Sequence, residues 1–371
     1  MSTLFFYGTL RHAPLLQLVL GPGSDHLSIR DATLPDHAVY AVQDQPFPMI
    51  VAERGAQAKG LLVQGLSDDE RARLAYYEGG FDYDLRAQTV TACDESRYQA
   101  QVFFPDPGLW NPKALWELDA WVRDWGEVSV LAAEEVMAHY GRVDAAAIAR
   151  SFPAIRTRAW ARLAARHRNI GEGRDIAQDV TLHSYKRAYV NYFGMDEVNL
   201  QHRQYNGAMG PVLHRSALMQ GAAVIVLPYD PVRDTVLLVE QFRPPVFMID
   251  DPEPWMWEPV AGMIDPGETP EQAAHREARE EAQIVLSALE YAGGAYTSSG
   301  SSTEYVHLYV GLGDLTATVE GGGLATEGED IRSKIIPFDD FINLVDAHAF
   351  KDLPLLSLAH WLARHRARLR A

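Results

Sequence analysis

The chain has 371 residues, enough for two domains with room for a third. A hydrophobic fraction of 47% and a charged fraction of 22% are ordinary for a globular protein and exclude a mainly disordered one. The formal net charge of −17 argues against broad binding to nucleic acid or an anionic membrane, and the single cysteine, Cys93, excludes an intramolecular disulfide and a cysteine-based zinc site. A lone cysteine, no signal sequence and no apolar run of membrane-spanning length together give a cytoplasmic protein as the expectation. A phosphorylated substrate would need metal ions or local arginines to offset the negative charge.

Residues 1–106 read as a β-rich unit. An apolar strand at 4–7 stops at Gly8-Thr9-Leu10-Arg11, a helix is predicted over 14–20, and later strands at 38–41, 60–63, 88–92 and 99–104 are separated by turn residues. Helical periodicity over 68–77 ends at Glu78-Gly79-Gly80. From 107 to 172 the chain predicts helices over 112–125, 128–140 and 145–167. Trp110, Trp116, Trp121, Trp125 and Trp160 are spaced for packing there, and no histidine pair has metal-ligand spacing. A linker is expected at 171–173.

Alternation resumes after Asp179. Strands are predicted at 180–185, 188–193, 222–227, 235–240, 255–260, 305–312 and 334–337, with a turn over 228–234 and closing helices over 338–347 and 355–370. Between them, Thr269-Pro270-Glu271-Gln272 is a helix start, with a capping threonine, a proline at the first helical position and a glutamine to complete a capping box. On that helix Glu277, Glu280 and Glu281 fall within an arc of about 100°, while Ala274, Ala278 and Ala282 share the neighbouring sector. Like charges at these spacings each cost about 0.2–0.5 kcal/mol on an isolated helix. A hard divalent cation reverses that sign, because Mg²⁺ binds carboxylate oxygens together with substrate phosphates.

Two resemblances follow. Tyr7-Gly8-Thr9-Leu10 after the first strand, Glu78 at the end of a helix, and the later Tyr83-x-x-Arg86 resemble the γ-glutamylcyclotransferase-like family, although the tyrosine-to-arginine spacing is one residue longer than usual. The resemblance implies a barrel in which Tyr7, Gly8, Thr9 and Leu10 hold the γ-glutamyl end of a substrate and Glu78 is its acid/base. In the C-terminal half, Gly262, Glu268, Arg276, Glu277, Glu280 and Glu281 match the Nudix pattern G-x5-E-x7-R-E-U-x-E-E-x-G-U, where U is aliphatic. Gln283 replaces its late glycine.

Around that motif, Glu240-Gln241-Phe242-Arg243, Glu258-Pro259-Val260-Ala261-Gly262 and Glu327-Gly328-Glu329-Asp330 resemble ADP-ribose pyrophosphatases, including the subgroup associated with tellurite resistance. That resemblance implies a substrate site of Arg243, Glu258 and Glu304, with Tyr192 or Phe193 stacking on adenine. It implies Mg²⁺, or Mn²⁺, on Glu277, Glu281 and the Ala261 carbonyl with Glu280 in support, and Glu329, with Glu327 in reserve, as the base. The products would be AMP and ribose 5-phosphate, and the assembly a homodimer. Ser299 stands where the family has a proline that helps mark ADP-ribose preference.

The expected architecture is therefore an α+β multidomain chain: a γ-glutamylcyclotransferase-like β-barrel with helices over 1–106, a helical connector over 107–172, and a Nudix α/β/α sandwich over 173–371. The expected partner is a small nucleoside diphosphate sugar rather than nucleic acid or membrane. Three alternatives stand beside this reading: an additional cyclotransferase activity, hydrolysis of another nucleoside diphosphate derivative, and a non-catalytic ADP-ribose sensor.

Overall fold

The first strand shows why its neighbours close into a barrel. In β1 (Ser2–Phe6) alternate side chains face opposite ways: Phe5, with Tyr7 just beyond the strand, enters one core, and Leu4 and Phe6 enter another. The computed structural model describes residues 2–79, 83–168, 173–316, 322–323 and 330–371. The chain divides into two compact units, Met1–Ser216 and Ala217–Ala371.

In the first unit, β1, β2 (Ser28–Val42), β3 (Pro48–Leu66), β4 (Tyr83–Ala92) and β5 (Arg97–Pro105) run in the order β3-β1-β5-β4-β2, and a β2–β3 pairing closes the ring. Phe5, Leu34, Leu62, Val90 and Val102 fill it. Three helices, α1 (Ala13–Leu20), α2 (Asp68–Glu78) and the short α3 (Leu118–Trp121), contribute to the second core, as do α4 (Glu127–Ala138) and α5 (Ala145–Arg166). Leu15, Val19, Leu131, Val136, Ile148 and Ile155 meet Leu4, Phe6 and Val63 there, so the helices cover one face of the barrel wall.

After the short helix α6 (Ile176–Asp179), β7 (Val180–Val190), β8 (Gly194–His202) and β9 (Leu213–Met219) form a separate three-stranded sheet. Buried charges tie its hairpin to the helices: Arg158 Nε donates to Glu135 Oε1 at 3.0 Å, and Arg187 bridges Glu135 at 3.5 Å and Asp196 at 3.2 Å.

The second unit is built on β10 (Ala223–Asp230), every residue of which is buried. It lies antiparallel to β11 (Thr235–Phe242) and β13 (Val260–Met263), and parallel to β15 (Tyr305–Gly313). The short helix α7 (Pro244–Met248) leads to β12 (Trp255–Glu258), which pairs with β11, as does β16 (Arg332–Pro337); β14 (Leu286–Tyr296) pairs with β15. Ile225, Leu227 and Tyr229 share a core with Phe341 of α9 (Phe338–Asp346) and Leu355, Leu358 and Leu362 of α10 (Leu353–Leu369). Helix α8 (Pro270–Ala282) packs against β10 and β13 through Ala273, Ala274, Ala278 and Ala282. The sheet is thus layered between helices.

Several elements differ from the sequence expectation. Residues 112–115 are a strand, β6 (Pro112–Leu115), because the edge of β2 offers a ladder to which Tyr40 and Val42 pair. The short strands expected at 38–41 and 60–63 are parts of strands of 15 and 19 residues, whose exposed stretch around 53–57 has no buried face to give an alternating signal. Residues 180–190 form one strand, and 191–193 are its turn, closed by the Asn191 amide on the Phe193 carbonyl at 2.9 Å. Pro228-Tyr229-Asp230 continue β10 rather than turning, because β15 supplies partners as far as Tyr229. Pro259 splits the predicted strand at 255–260 into β12 and β13.

Candidate active site

Helix α8 begins where its first residues dictate. Thr269 Oγ1 accepts the Gln272 amide at 3.3 Å while Gln272 Oε1 accepts the Thr269 amide at 2.8 Å, a complete capping box ahead of Pro270. The helix ends at Gln283 with φ 54° and ψ 32°, the left-handed conformation that glycine adopts most easily. The replaced motif glycine therefore shapes a helix exit, and the glutamine bears the cost.

Glu277 and Glu281 are buried on the face of α8 turned to β13, and Glu280 is partly exposed. Glu281 Oε2 accepts the Ala261 amide at 2.9 Å. The Arg276 guanidinium organises the rest: it donates to Glu268 through two bonds of 2.9 Å, to Glu277 at 2.6 Å, to Glu280 at 3.0 Å and to the Met263 carbonyl at 2.9 Å. The Glu268 hydrogen bond is the largest cause of the rise in the Arg276 pKa. Burial opposes ionisation of Glu268, but that bond, the Arg276 charge and the Asp265 amide together outweigh it and lower its pKa. Among the described residues no three carboxylates are gathered into a ready metal cluster. The donor set still suits a hard divalent cation: carboxylate oxygens on adjacent turns of one helix, packed against a bare backbone at Gly262.

Beside α8, Arg243 Nε donates to both oxygens of Glu258, at 3.1 and 2.9 Å. Burial works against the Arg243 charge, but Glu258 and then Glu281 more than restore it, and its pKa is raised. Sequence reasoning missed Asp352, which caps α10 through the Leu355 amide at 2.7 Å. Burial pushes its pKa up to about 6; the Leu355 amide opposes that rise, Glu258 adds to it and Arg243 opposes it. Its only sequence signal was a capping aspartate before Leu-Pro.

Glu304 stands at the neck of the loop carrying Ser299, where its Oε2 accepts from Thr297 Oγ1 at 2.7 Å. Glu327 and Glu329 lie outside the described residues. Gly322 and Gly323 are described: the Gly323 amide donates to the Glu280 carbonyl at 3.0 Å, and a Cβ on Gly322 would fall 1.8 Å from the Glu281 carbonyl oxygen. Tyr192 and Phe193 lie in the β7–β8 turn of the first unit, edge to face with centroids 4.9 Å apart.

The first unit contains its own cavity, of about 460 Å³. Tyr7, Gly8, Thr9, Leu10 and Glu78, read as a site from the sequence, all line it. Burial of the Glu78 carboxyl pushes its pKa up to about 7. Trp110, assigned to packing from its spacing, is also a wall residue, as is Arg156 of α5, which sequence reasoning did not single out.

The NUDIX domain family matches residues 219–358, and the family described as gamma-glutamyl cyclotransferase, AIG2-like, matches residues 4–123. An ADP-ribose pyrophosphatase of Escherichia coli is 34% identical over 193 residues, which cover 52% of this chain and 91% of the relative. One from Haemophilus influenzae is 35% identical over 163 residues, covering 43% of this chain and 74% of the relative. A GDP-mannose pyrophosphatase of Cronobacter sakazakii is 30% identical over 174 residues, covering 46% and 88%. With the carboxylate helix, its arginine hub and these relatives in agreement, the chain belongs to the Nudix hydrolase family, and its N-terminal part carries a γ-glutamylcyclotransferase-like barrel.

Proposed function

We propose that the second unit hydrolyses the diphosphate of ADP-ribose to AMP and ribose 5-phosphate with Mg²⁺, or with Mn²⁺ in its place. The observation that carries this reading is the burial of Glu277 and Glu281 against β13 with the Arg243–Glu258 pair alongside. Glu277, Glu281 and the Ala261 carbonyl would hold the cation, with Glu280 in support. A divalent cation there neutralises the diphosphate and activates the attacking water. Arg276 ties Glu268, Glu277 and Glu280 to one guanidinium and so fixes where their oxygens stand. Arg243 and Glu258 orient the substrate, Glu304 braces the loop beside it, and Glu329 takes the proton from water, with Glu327 as the reserve. The working assembly is a homodimer in the cytoplasm; no described helix is long and apolar enough to cross a membrane.

The activities for which the relatives are named support ADP-ribose first and GDP-mannose second. Product analysis with Mg²⁺ against ADP-ribose, GDP-mannose, NADH, diadenosine polyphosphates and nucleoside triphosphates tests the order. Preferential release of AMP from ADP-ribose upholds the reading. Preference for another diphosphate assigns the change in specificity to the loop around Ser299, and light scattering that returns a monomer removes the dimer.

A second reading rests on Glu78, a carboxyl of near-neutral pKa in a cavity lined by Tyr7 to Leu10. There a γ-glutamyl amide would cyclise. Its α-amine nitrogen attacks the side-chain carbonyl carbon and forms a C–N bond, Glu78 accepts the amine proton, and the bond to the departing amine breaks as that proton is returned to it. The products are 5-oxoproline and a free amine. Mass spectrometry for 5-oxoproline, compared between the unaltered chain and Glu78→Gln, tests it; no Glu78-dependent product removes this reading and leaves the hydrolase untouched.

A further inference from the structure

The last turn of α8 carries Glu280 and Glu281, and its backbone is finished by residues far along the chain. A helix leaves its last four carbonyls without intrahelical partners. Here the Arg279 carbonyl takes the Gln283 amide at 3.1 Å, from the chain leaving the helix. The Glu280 carbonyl instead takes the Gly323 amide at 3.0 Å. The Glu281 carbonyl is covered by Gly322, on which a Cβ would fall 1.8 Å from that oxygen and 2.7 Å from its carbon. Two consecutive glycines thus close over the main chain of two consecutive glutamates.

The glycine pair is itself anchored. The Gly322 amide donates to the carbonyl of the buried Ile331 at 2.8 Å. Arg332, the next residue, opens β16 and bridges Glu240 of β11 at 2.5 Å. Beside Glu240, Gln241 donates from Nε2 to Glu281 Oε1 at 3.5 Å. Glu281 is therefore held at both ends, its carboxylate by Gln241 and the Ala261 amide, its main chain by Gly322. Gly323 has φ 88°, which glycine adopts freely, whereas Gly322 lies outside the left-handed region. The requirement for glycine at 322 is thus one of space alone.

We propose that Gly322 is a positioning residue for the carboxylates of α8. It acts through the Glu280–Glu281 backbone: having no side chain, it lets its segment rest directly on the end of the helix, and so sets where the Glu281 oxygens stand relative to Glu277. The inference rests on the reading that α8 holds a divalent cation, and it adds a residue outside the motif on which that cation depends. A methyl group at 322 must force the two backbones apart by about 1.5 Å before the contact reaches van der Waals distance. A hard cation such as Mg²⁺ keeps its oxygens at about 2.0–2.1 Å in near-octahedral geometry, so a displacement of that size takes a ligand out of reach.

The test uses the full chain with Mn²⁺ as the probe, the free ion being followed by its electron spin resonance signal. The unaltered chain should bind Mn²⁺, and Gly322→Ala should bind it at least about tenfold more weakly while circular dichroism shows its helices retained. Leu358→Ala, which opens a cavity in the core between α10 and the sheet, controls for loss of stability alone, and its Mn²⁺ affinity should be unchanged. Equal affinity in Gly322→Ala, or an equal loss in Leu358→Ala, overturns the proposal and leaves the cation reading in place. An unaltered chain that binds no Mn²⁺ removes both. Should Gly322→Ala fail to fold, amide exchange in the unaltered chain decides. By linkage, Mg²⁺ should slow exchange of the Gly323 amide at least about fivefold, and exchange indifferent to Mg²⁺ overturns the proposal.

Discussion

The carboxylate of Glu277 occupies the place where a side chain on Gly262 would stand: a Cβ there would fall 1.9 Å from Glu277 Oε1. Strand β13 and helix α8 are thereby brought so close that the motif's first glycine and Glu277 form one steric unit. Gly262→Ala should displace Glu277 and its bond to Arg276. Expected effects are a loss of about 1–3 kcal/mol of stability and a fall in hydrolytic kcat/KM, read by thermal unfolding and by product formation.

Glu281 is buried, and its Oε2 accepts the Ala261 amide. Glu281→Gln keeps the shape and that hydrogen bond but removes the charge. Metal-dependent hydrolysis should fall by about 10²-fold or more, while stability changes by no more than about 1 kcal/mol. Undiminished turnover in this variant would defeat the proposed mechanism.

At the far end of α8, Gln283 sits in the left-handed region, where its Cβ crowds the backbone. Gln283→Gly relieves the steric cost at the price of a more flexible unfolded chain, for a net stabilisation of about 0.5–1 kcal/mol. Denaturant titration should show a higher midpoint with hydrolytic activity retained. A lower midpoint would mean that Gln283 makes a contact worth more than the strain.

Glu78 gives a prediction in pH. Its pKa is raised from the model-compound 4.5 to about 7 by burial, so between those values the unfolded chain has lost a proton that the folded chain keeps. Stability falls through that window as pH rises, and above it the full penalty of about 3 kcal/mol is present. Glu78→Gln should therefore stabilise the protein little at pH 4 and most at pH 8, as followed by urea unfolding at both. Cyclotransferase turnover, which needs the ionised carboxylate, should rise through pH 7.

Helix α8 was legible because its information is local. A capping box, a proline at the first position and three glutamates at spacings of three and four fix start, face and charge within 15 residues, and the structure reproduces each. Other elements were misread where a neighbour distant in sequence decided. Residues 112–115 carry no strand signal, but the edge of β2 offers them a ladder. Pro228 looks like a turn residue, but β15 pairs alongside it and keeps the strand running.

The division between sequence and tertiary structure is clearest in the charged groups. Resemblance to known families, carried by short runs of residues, gave the Nudix motif, the Tyr7 to Leu10 loop and Glu78, because catalytic chemistry restricts which side chains can stand at which intervals along one chain. Asp352, Arg156 and Trp110 gave no such signal. Asp352 gains its raised pKa only when folding buries it, with the nearby Glu258 charge adding to the rise and Arg243 opposing it. Arg156 and Trp110 become walls of one cavity only when a helix from beyond the barrel closes over it. Burial and proximity between segments far apart in sequence set the electrostatics of such groups, and those quantities exist only in the folded chain.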